Sequence, residues 1–247
     1  MNISNKTVLI IGGSAGIGFE TAKLLTSKGN KVIITGRDET RLKAAAAQIE
    51  GASYFVGDVS SEADTIKLVD YINQNFPQLD VLVNNAGRAI IHHLADSPNA
   101  FDYAGDEILT NYLAIIRLTE KLLPLLKAQK EAAIVNVTSI VVFAPGATLP
   151  TYAASKAALH SYTRSLRFAL KDTSVKVFEL MPPLVDTELS KEIGGHNGIP
   201  PLQVAEELLE GLTNDVAEIH VGQTADFYKL YLSSPEQALV VLNTGRE

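Results

Sequence analysis

Short apolar runs alternate with helical patterns along the whole chain. The runs are rich in Val, Ile and Leu, which is typical of strands that are buried on both faces of a sheet. Seven such strands are predicted: KTVLII, KVIITG, ASYFVGDV, LDVLVNN, AAIVNVTS, SVKVFELMPP and AEIHVG. Strands that alternate with helices in this way predict a parallel sheet with right-handed crossovers and helices on both faces.

The segments between the strands predict the helices. They are GIGFETAKLLTSKG, DETRLKAAAAQIE, SEADTIKLVDYINQNFP, about residues 102–129, PTYAASKAALHSYTRSLRFALKD and PLQVAEELLEGL. No repeat, charge block or linker divides the chain, so residues 1–247 are predicted to form one α/β domain of the Rossmann type, with a doubly wound seven-stranded parallel sheet. The loop-rich residues 188–201 near the carboxyl ends of the late strands predict a mobile substrate lid, with a plain surface loop as the alternative.

Composition narrows the class of partner. The 247 residues are 46% hydrophobic and 20% charged, as in ordinary soluble proteins, and the net charge of −7 argues against nucleic acid. There are no cysteines, and the five histidines lack metal-ligand spacing, so neither disulfides nor a catalytic metal is expected. No signal-peptide pattern and no apolar run of about 20 residues is present, so we expect a soluble, cytoplasmic protein that does not bind membranes.

The stretch IIGGSAGIG, which follows the first strand, fits two templates. As G-x-S-x-G, residues 12–16 would be the nucleophile elbow of a hydrolase, with Ser14 as the nucleophile. As the start of a glycine series through Gly18, they would form a phosphate-binding turn. Only one strand precedes the turn, and His160 and His220 are poorly placed to complete a triad. The sequence therefore favours the phosphate-binding turn, with the following helix directed at a pyrophosphate.

The end of the second strand bears on the choice of cofactor. A unit that prefers NAD usually has an acidic residue there to hold the ribose hydroxyls. This chain has Gly36 and then Arg37, whose guanidinium can bind a 2′-phosphate in a bidentate way. The sequence favours NADP; the alternative is that Arg37, next to Asp38, only solvates the start of a helix. Asp58 and Val59 follow the third strand and are candidates for contacts with the adenine.

Tyr152 and Lys156 are four residues apart in a predicted helix, so their side chains share one face. A phenol has a pKa of about 10 in water, and a nearby ammonium lowers it, which makes Tyr152 usable as a general acid or base. Ser139 ends the strand upstream, where its hydroxyl could hold a substrate carbonyl oxygen beside Tyr152. Taken alone, Tyr-x-x-x-Lys is equally consistent with a half-buried surface pair.

Several motifs occur together in a specific order. They are the glycine series that ends at Gly18, NNAG at residues 84–87, Asn111, Ser139, and Tyr152 with Lys156. This combination resembles the short-chain dehydrogenase/reductase family over essentially the whole chain. The stretches TYAASKAALHSY, LKDTSV and PPLVDTEL are most similar to the oxidoreductase subgroup named after the operon for D-alanylation of lipoteichoic acid. That subgroup label does not identify a substrate.

The resemblance implies a role for each residue of a catalytic set. Tyr152 exchanges a proton with the carbonyl or alcohol oxygen, and Lys156 lowers the pKa of Tyr152 and holds the nicotinamide ribose. Ser139 orients the substrate, and Asn111 keeps a water that links Lys156 to solvent. The residues expected to contact NADP are Gly12, Ser14, Gly16, Ile17, Gly18, Arg37, Asp58, Val59, Asn85, Ala86, Gly87, Tyr152, Lys156, Pro182, Val185 and Thr187.

Two positions depart from the family pattern. Family members usually have Thr before the first glycine, where this chain has Ile11, so an apolar contact is expected to replace the hydroxyl. After the sixth strand the family usually has Pro-Gly, where this chain has Pro182-Pro183, and the second Pro removes a donor and the access to positive φ. Val185 and Thr187 still fit the positions that contact the nicotinamide carboxamide and the phosphate.

The predicted function is NADP-dependent hydride transfer to or from a small or medium apolar ketone, aldehyde or alcohol. The alternative from another class is a non-catalytic NADP-binding protein that senses redox state or binds partners. The resemblance also implies a homodimer or homotetramer that forms through the helices at about 102–126 and 152–170. His92 and His93 border the expected substrate entrance and are predicted to be a solvated loop pair.

Overall fold

The computed structural model describes residues 1–244, and a single parallel sheet lies at its centre. The described residues form seven strands in the order β3-β2-β1-β4-β5-β6-β7. In chain order they are β1 (Thr7–Ile11), β2 (Lys31–Gly36), β3 (Ser53–Val56), β4 (Leu79–Asn84), β5 (Ala132–Val137), β6 (Val175–Met181) and β7 (Glu218–His220). The strand order reverses between β1 and β4, which opens a crevice at the carboxyl edge. The predicted doubly wound Rossmann-type fold is confirmed.

Helices cover both faces of this sheet. They are α1 (Gly16–Ser27), α2 (Glu39–Ala46), α3 (Glu62–Asn75), α4 (Ala100–Ile108), α5 (Ala114–Lys127), α6 (Pro150–Ala169), α7 (Pro201–Thr213), α8 (Thr224–Ser233) and α9 (Pro235–Asn243). The single helix predicted over 102–129 is therefore two helices, α4 and α5, joined by the π-helical segment Leu109–Leu113. A sequence pattern with one extra residue per turn still shows helical spacing, which is why the interruption escaped prediction.

The strands are nearly continuous apolar runs because helices bury them from both sides. Within β1, the side chains of Val8 and Ile10 pack in the cluster that includes residues of α1 and α7. Leu9 and Ile11 pack in the opposite cluster, which includes residues of α3 and α5. These side chains are at most 2% exposed. Such a close-packed frame fixes the positions of the loops at its carboxyl edge.

Ile11, the first departure from the family pattern, makes the apolar contact expected of it and lies in register with Asn84 of β4. Asn84 Nδ2 donates to Asn136 Oδ1 at 2.8 Å, and Asn136 Nδ2 donates to Thr163 Oγ1 at 2.9 Å. Within residues 1–244, the buried Oδ1 of Asn84 has no hydrogen-bond partner. Isoleucine at position 11 has no hydroxyl to offer this oxygen.

Among the described residues, every helix is too short or too polar to cross a lipid bilayer.

Candidate active site

The glycine turn after β1 is built so that a phosphate can approach the backbone. Gly12 and Gly16 have φ values of +80° and +56°, a region that L side chains rarely adopt. A Cβ on Gly18 would overlap the carbonyl oxygen of Gly12. The N-cap residue of α1, Ala15, offers no side-chain cap, and the first turn of α1 contains no acidic residue. The amides at this helix start are free for an anion, so the turn fits the pyrophosphate of a dinucleotide.

Gly18→Ala is expected to destabilise the protein and weaken the binding of a nicotinamide dinucleotide, because the added methyl overlaps backbone rather than a mobile side chain. Overpacking of this kind costs about 1–3 kcal/mol. Urea denaturation and fluorescence titration with NADH and NADPH measure the two effects. The matched control is Gly105→Ala in α4, where a Cβ meets nothing within 4 Å and where helix propensity favours Ala. Equal free energies of unfolding for the two variants would contradict this account of the turn.

The NNAG motif, at the end of β4, packs against the glycine turn and hydrogen-bonds to it. Asn85 Nδ2 donates to the carbonyl oxygen of Gly12 at 2.7 Å, and the backbone of Ala86 lies against Gly12. A Cβ on Gly87 would lie 3.8 Å from Lys156 Nζ. The motif therefore joins the phosphate-binding turn to the Tyr152–Lys156 end of the crevice, as its predicted place in the cofactor cleft requires.

The end of β2 presents Arg37 to solvent beside the glycine turn. Asp38 is the N-cap of α2, and its carboxylate accepts from the amide of Arg41 at 3.0 Å. The Oγ of Ser14 would lie 3.4 Å from a Cβ at Gly36. Asp38 is thus engaged in a helix cap, while Ser14 and Arg37 flank the position that an acidic residue would occupy in an NAD-binding unit.

The loop after β3 is held by its own hydrogen bonds. Asp58 Oδ1 accepts from the amide of Ser60 at 2.9 Å and from its hydroxyl at 2.7 Å. Arg117 of α5 donates through Nη2 to the carbonyl oxygen of Val59 at 3.1 Å. The two residues predicted to contact the adenine therefore sit in a rigid turn.

Tyr152, Lys156 and Ser139 meet at the start of α6. Ser139 follows β5 and its hydroxyl lies close enough to the Tyr152 phenol to favour the phenolate, while Lys156 Nζ lies 5.7 Å from the centre of the Tyr152 ring. Lys156 Nζ donates to the carbonyl oxygen of Val137 at 2.7 Å. The predicted catalytic trio is brought together in one place.

The pKa of Tyr152 differs from the expectation. Burial raises the pKa of Tyr152 to about 12, although the Ser139 hydroxyl favours the phenolate and the Glu107 carboxylate opposes it. Burial also lowers the pKa of Lys156 to about 8, against the opposing pull of the Glu179 carboxylate. The expected lowering of the pKa of Tyr152 by Lys156 is not seen: desolvation is the largest influence on the phenol, and Lys156 Nζ donates to the carbonyl oxygen of Val137.

Asn111 lies in the π-helical segment, fully buried. Its side-chain oxygen accepts from the amide of Arg88 at 2.8 Å, and its Nδ2 donates to the carbonyl oxygen of Arg88 and to Ser155 Oγ. π-Helical turns often occur at functional sites because they redirect one side chain. Here the turn directs Asn111 to the loop that follows NNAG and to the helix that carries Lys156.

The segment after β6 crosses to the glycine turn in spite of Pro183. The carbonyl oxygen of Pro182 accepts from the amide of Ile140, and Val185 forms a parallel bridge with Ile199. A Cβ on Gly16 would lie 3.0 Å from Thr187 Cγ2, so Thr187 reaches the start of α1. The prolines thus leave Thr187 at the phosphate-binding turn, as the family pattern requires.

Two buried carboxylates near the trio were missed by the sequence reasoning. Glu107 of α4 accepts from the amide of Ile90 at 2.7 Å, and burial raises the pKa of Glu107. Glu179 is a fully buried residue of β6. The sequence did contain a signal for Glu179, because it is a single acidic residue among the apolar positions of VKVFELM.

The prediction for the histidine pair is wrong for one member. His92 is buried, with its ring edge-on to Tyr103 at 5.1 Å and Nδ1 lying 3.1 Å from the carbonyl oxygen of Ile90. His93 is exposed, as expected. The apolar body of the His92 imidazole packs against an aromatic ring, which the sequence of a loop does not reveal.

The parallel sheet and the glycine turn at its switch point define the class of protein: an α/β domain of the dinucleotide-binding type. Residues 6–198 match the family described as short chain dehydrogenase, and the chain belongs to this family. It is an oxidoreductase of the type that acts on CH–OH groups. The predicted family is therefore confirmed.

The chain is similar to the following three proteins. An uncharacterized oxidoreductase of Bacillus subtilis strain 168, DltE, is 42% identical over 224 residues, which cover 89% of each chain. A short chain dehydrogenase from Burkholderia cenocepacia J2315, solved with NADP, has a TM-score of 0.86 at 23% identity over 98% of each chain. One from Burkholderia phymatum, solved with NAD, has a TM-score of 0.83 at 21% identity over 89% of each. The predicted subgroup is confirmed by the first relative, and the two solved structures confirm the fold.

Proposed function

We propose that this protein is an NADP-dependent carbonyl reductase or alcohol dehydrogenase whose reaction is carried out by Ser139, Tyr152 and Lys156. The observation that carries the proposal is their convergence at the carboxyl edge of β5, next to the crevice that fits a dinucleotide. A nicotinamide bound in this crevice supplies or accepts the hydride.

The chain's own residues handle the substrate and the proton. Ser139 Oγ holds the carbonyl oxygen of the substrate against the phenol of Tyr152. Tyr152 donates its proton to that oxygen in reduction and takes it back in alcohol oxidation. Lys156, held by the carbonyl oxygen of Val137, places a positive charge beside the phenol and stabilises the phenolate that forms. Asn111 holds the loop after NNAG against α6 through its bonds to Arg88 and Ser155. Through a water, Asn111 also connects Lys156 to solvent.

The preference for NADP rests on the end of β2. Arg37 is exposed, and in the described part of the chain no carboxylate lies within ion-pair distance of it. Asp38 is occupied as a helix cap and Gly36 brings no acidic group. A 2′-phosphate therefore meets a free guanidinium rather than a carboxylate. Gly12, Gly16, Ile17 and Gly18 would hold the pyrophosphate, and Asp58 and Val59 the adenine.

Residues 188–201 are proposed as a lid over the crevice. The segment contains the 3₁₀ turns Glu188–Ile193 and Gly195–Asn197. Glu188 forms an ion pair with Arg41 of α2, which lies on the other side of the phosphate-binding turn. Limited proteolysis in the presence and absence of NADPH tests this role, because a lid that closes on the cofactor is protected by it.

We also propose that the protein forms a homodimer or homotetramer through α4, α5 and α6. Phe101, Leu113 and Phe168 are 88%, 46% and 72% exposed, although they are large and apolar. Exposed residues of this kind are often covered in an assembly. Light scattering after size-exclusion chromatography gives the mass, and Phe168→Glu is the variant expected to lower it.

The experiment that tests the proposed function is a screen for NADPH oxidation with aldehydes, ketones and quinones, run beside NADH and repeated in the direction of alcohol oxidation. We expect a subset of carbonyl compounds to be reduced with NADPH in preference to NADH. NADPH binding without oxidation by any member of the panel would favour the non-catalytic alternative.

A further inference from the structure

Thr138, His160 and Glu179 form a hydrogen-bonded cluster next to the proposed active site. Glu179 is fully buried. Its Oε1 accepts from Thr138 Oγ1 at 2.7 Å, and His160 Nδ1 lies 2.9 and 3.0 Å from the two carboxylate oxygens. A carboxylate in this position is stable only because both of its oxygens have partners. The cluster has no place in the roles assigned to Ser139, Tyr152 and Asn111.

Two connections place this cluster next to Lys156. Lys156 and His160 are four residues apart on α6, so they lie on one face, about 6 Å apart along the axis. Lys156 Nζ donates to the carbonyl oxygen of Val137, and the next residue, Thr138, donates to Glu179. The ammonium and the carboxylate are thus held by adjacent residues of one chain segment and by adjacent turns of one helix.

Among the charged groups near Lys156, Glu179 is the one that acts on its ammonium. The titratable groups that act on Lys156, or on its neighbours Tyr152 and Glu179, come from four elements. They are Tyr152 and His160 from α6, Glu179 from β6, His220 from β7 and Glu107 from α4. Burial lowers the pKa of His220, against the pull of Glu218 and Glu179, so His220 is neutral above its lowered pKa. Glu107 acts on the phenol of Tyr152 rather than on the ammonium. Burial lowers the pKa of Lys156, and the Glu179 carboxylate opposes this effect.

We propose that Glu179 is a positioning residue whose buried carboxylate keeps Lys156 in its charged form. This inference rests on the proposed function, because the charge on Lys156 matters only if Tyr152 exchanges a proton. Thr138 and His160 hold the Glu179 carboxylate in place by hydrogen bonds, so that its negative charge stays near the Lys156 ammonium. Nothing in this arrangement requires Glu179 to touch substrate or cofactor.

The direct test measures Lys156 without any substrate. Protein labelled with ¹³C at lysine Cε is titrated by NMR, and the Lys156 signal is the one that Lys156→Met removes. In the wild type we expect a midpoint at about pH 8. In Glu179→Gln the negative charge is gone, so the midpoint falls by at least about one unit. Glu179→Asp retains the charge and keeps the midpoint close to that of the wild type.

Two controls separate charge from structure. Glu107→Gln removes a buried carboxylate near Tyr152 and is expected to leave the Lys156 midpoint within about 0.3 of a unit of the wild type. Glu179→Met removes the charge without adding an amide that needs partners, and it carries the same expectation as Glu179→Gln if that variant fails to fold. A midpoint that stays at the wild-type value when the carboxylate is removed, in Glu179→Met as well as in Glu179→Gln, overturns the proposal.

The kinetic readout distinguishes this inference from the proposed function. With NADPH and a carbonyl substrate from the panel, kcat in Glu179→Gln is expected to fall at least about fivefold near pH 8 and to recover toward the wild-type value near pH 6. A structural role for Glu179 predicts an equal loss at every pH, which contradicts the inference. A lowered Lys156 midpoint together with no turnover in any variant, wild type included, supports the inference on charge and contradicts the proposed function.

Discussion

Tyr152→Phe is expected to lower kcat for every carbonyl substrate by about 10²–10⁴-fold, with little change in NADPH affinity. The substitution removes only the hydroxyl that gives the proton to the substrate oxygen, and general acid catalysis contributes about this much to a rate. Phenylalanine at this position has no proton to give, and the side chain is only partly exposed. The measurement is steady-state turnover together with a fluorescence titration of NADPH.

Tyr162→Phe is the matched control for this prediction. Tyr162 lies on the same helix, half-buried, and packs edge-on against Tyr112 at 6.1 Å rather than beside Ser139. It is expected to keep the wild-type rate, so a loss in both variants would indicate damage to α6 instead of a lost proton donor. Near-wild-type turnover in Tyr152→Phe would remove Tyr152 from the mechanism.

Arg37→Asp is expected to reverse the cofactor preference. The loss of a charge-assisted, bidentate contact costs about 1.5–3 kcal/mol, and each 1.4 kcal/mol is about tenfold in affinity. The new carboxylate also repels the 2′-phosphate and offers the ribose hydroxyls of NADH the acceptor that Gly36 does not provide. Together these effects predict a fall of about 10²-fold in kcat/KM for NADPH and a smaller gain for NADH.

Lys31→Asp provides the control for the change in net charge. Lys31 is exposed at the amino end of the same strand, β2, away from the carboxyl edge where the crevice lies. Lys31→Asp makes the same change in net charge without approaching the 2′-phosphate. Its effect on kcat/KM therefore measures only long-range electrostatics, which salt screens. If Arg37→Asp keeps the wild-type ratio of NADPH to NADH, Arg37 does not read the 2′-phosphate.

The doubly wound parallel sheet could be predicted because its strands and helices have patterns that are local in sequence. Buried parallel strands are apolar along their whole length, and strands that alternate with helices connect by right-handed crossovers. The glycines of the phosphate-binding turn could also be predicted, because a positive φ and a close backbone contact both require that residue type. Asp38 suits the start of α2 in a similarly local way, because its carboxylate accepts from a backbone amide of the first turn.

The features that escaped prediction depend on three-dimensional surroundings. The π-helical turn at Leu109–Leu113 needs only one added residue in a helical pattern, and it has no composition of its own. The raised pKa of Tyr152 follows from burial, which the spacing of Tyr152 and Lys156 does not report. Glu179 and His160 are distant in sequence and meet only because β6 packs beneath α6.

Hydride transfer is measured directly with NADPH that carries deuterium at both positions of the nicotinamide C4, by following the label into the product. Wild-type protein is incubated with the labelled cofactor and a carbonyl compound selected in the screen, and the product is analysed by mass spectrometry beside a Tyr152→Phe reaction. We expect an alcohol that carries one deuterium on the former carbonyl carbon, formed by the wild type and at least about 10²-fold more slowly by the variant. An alcohol without deuterium would exclude hydride transfer from the cofactor, and equal rates for the two proteins would exclude Tyr152 as the proton donor.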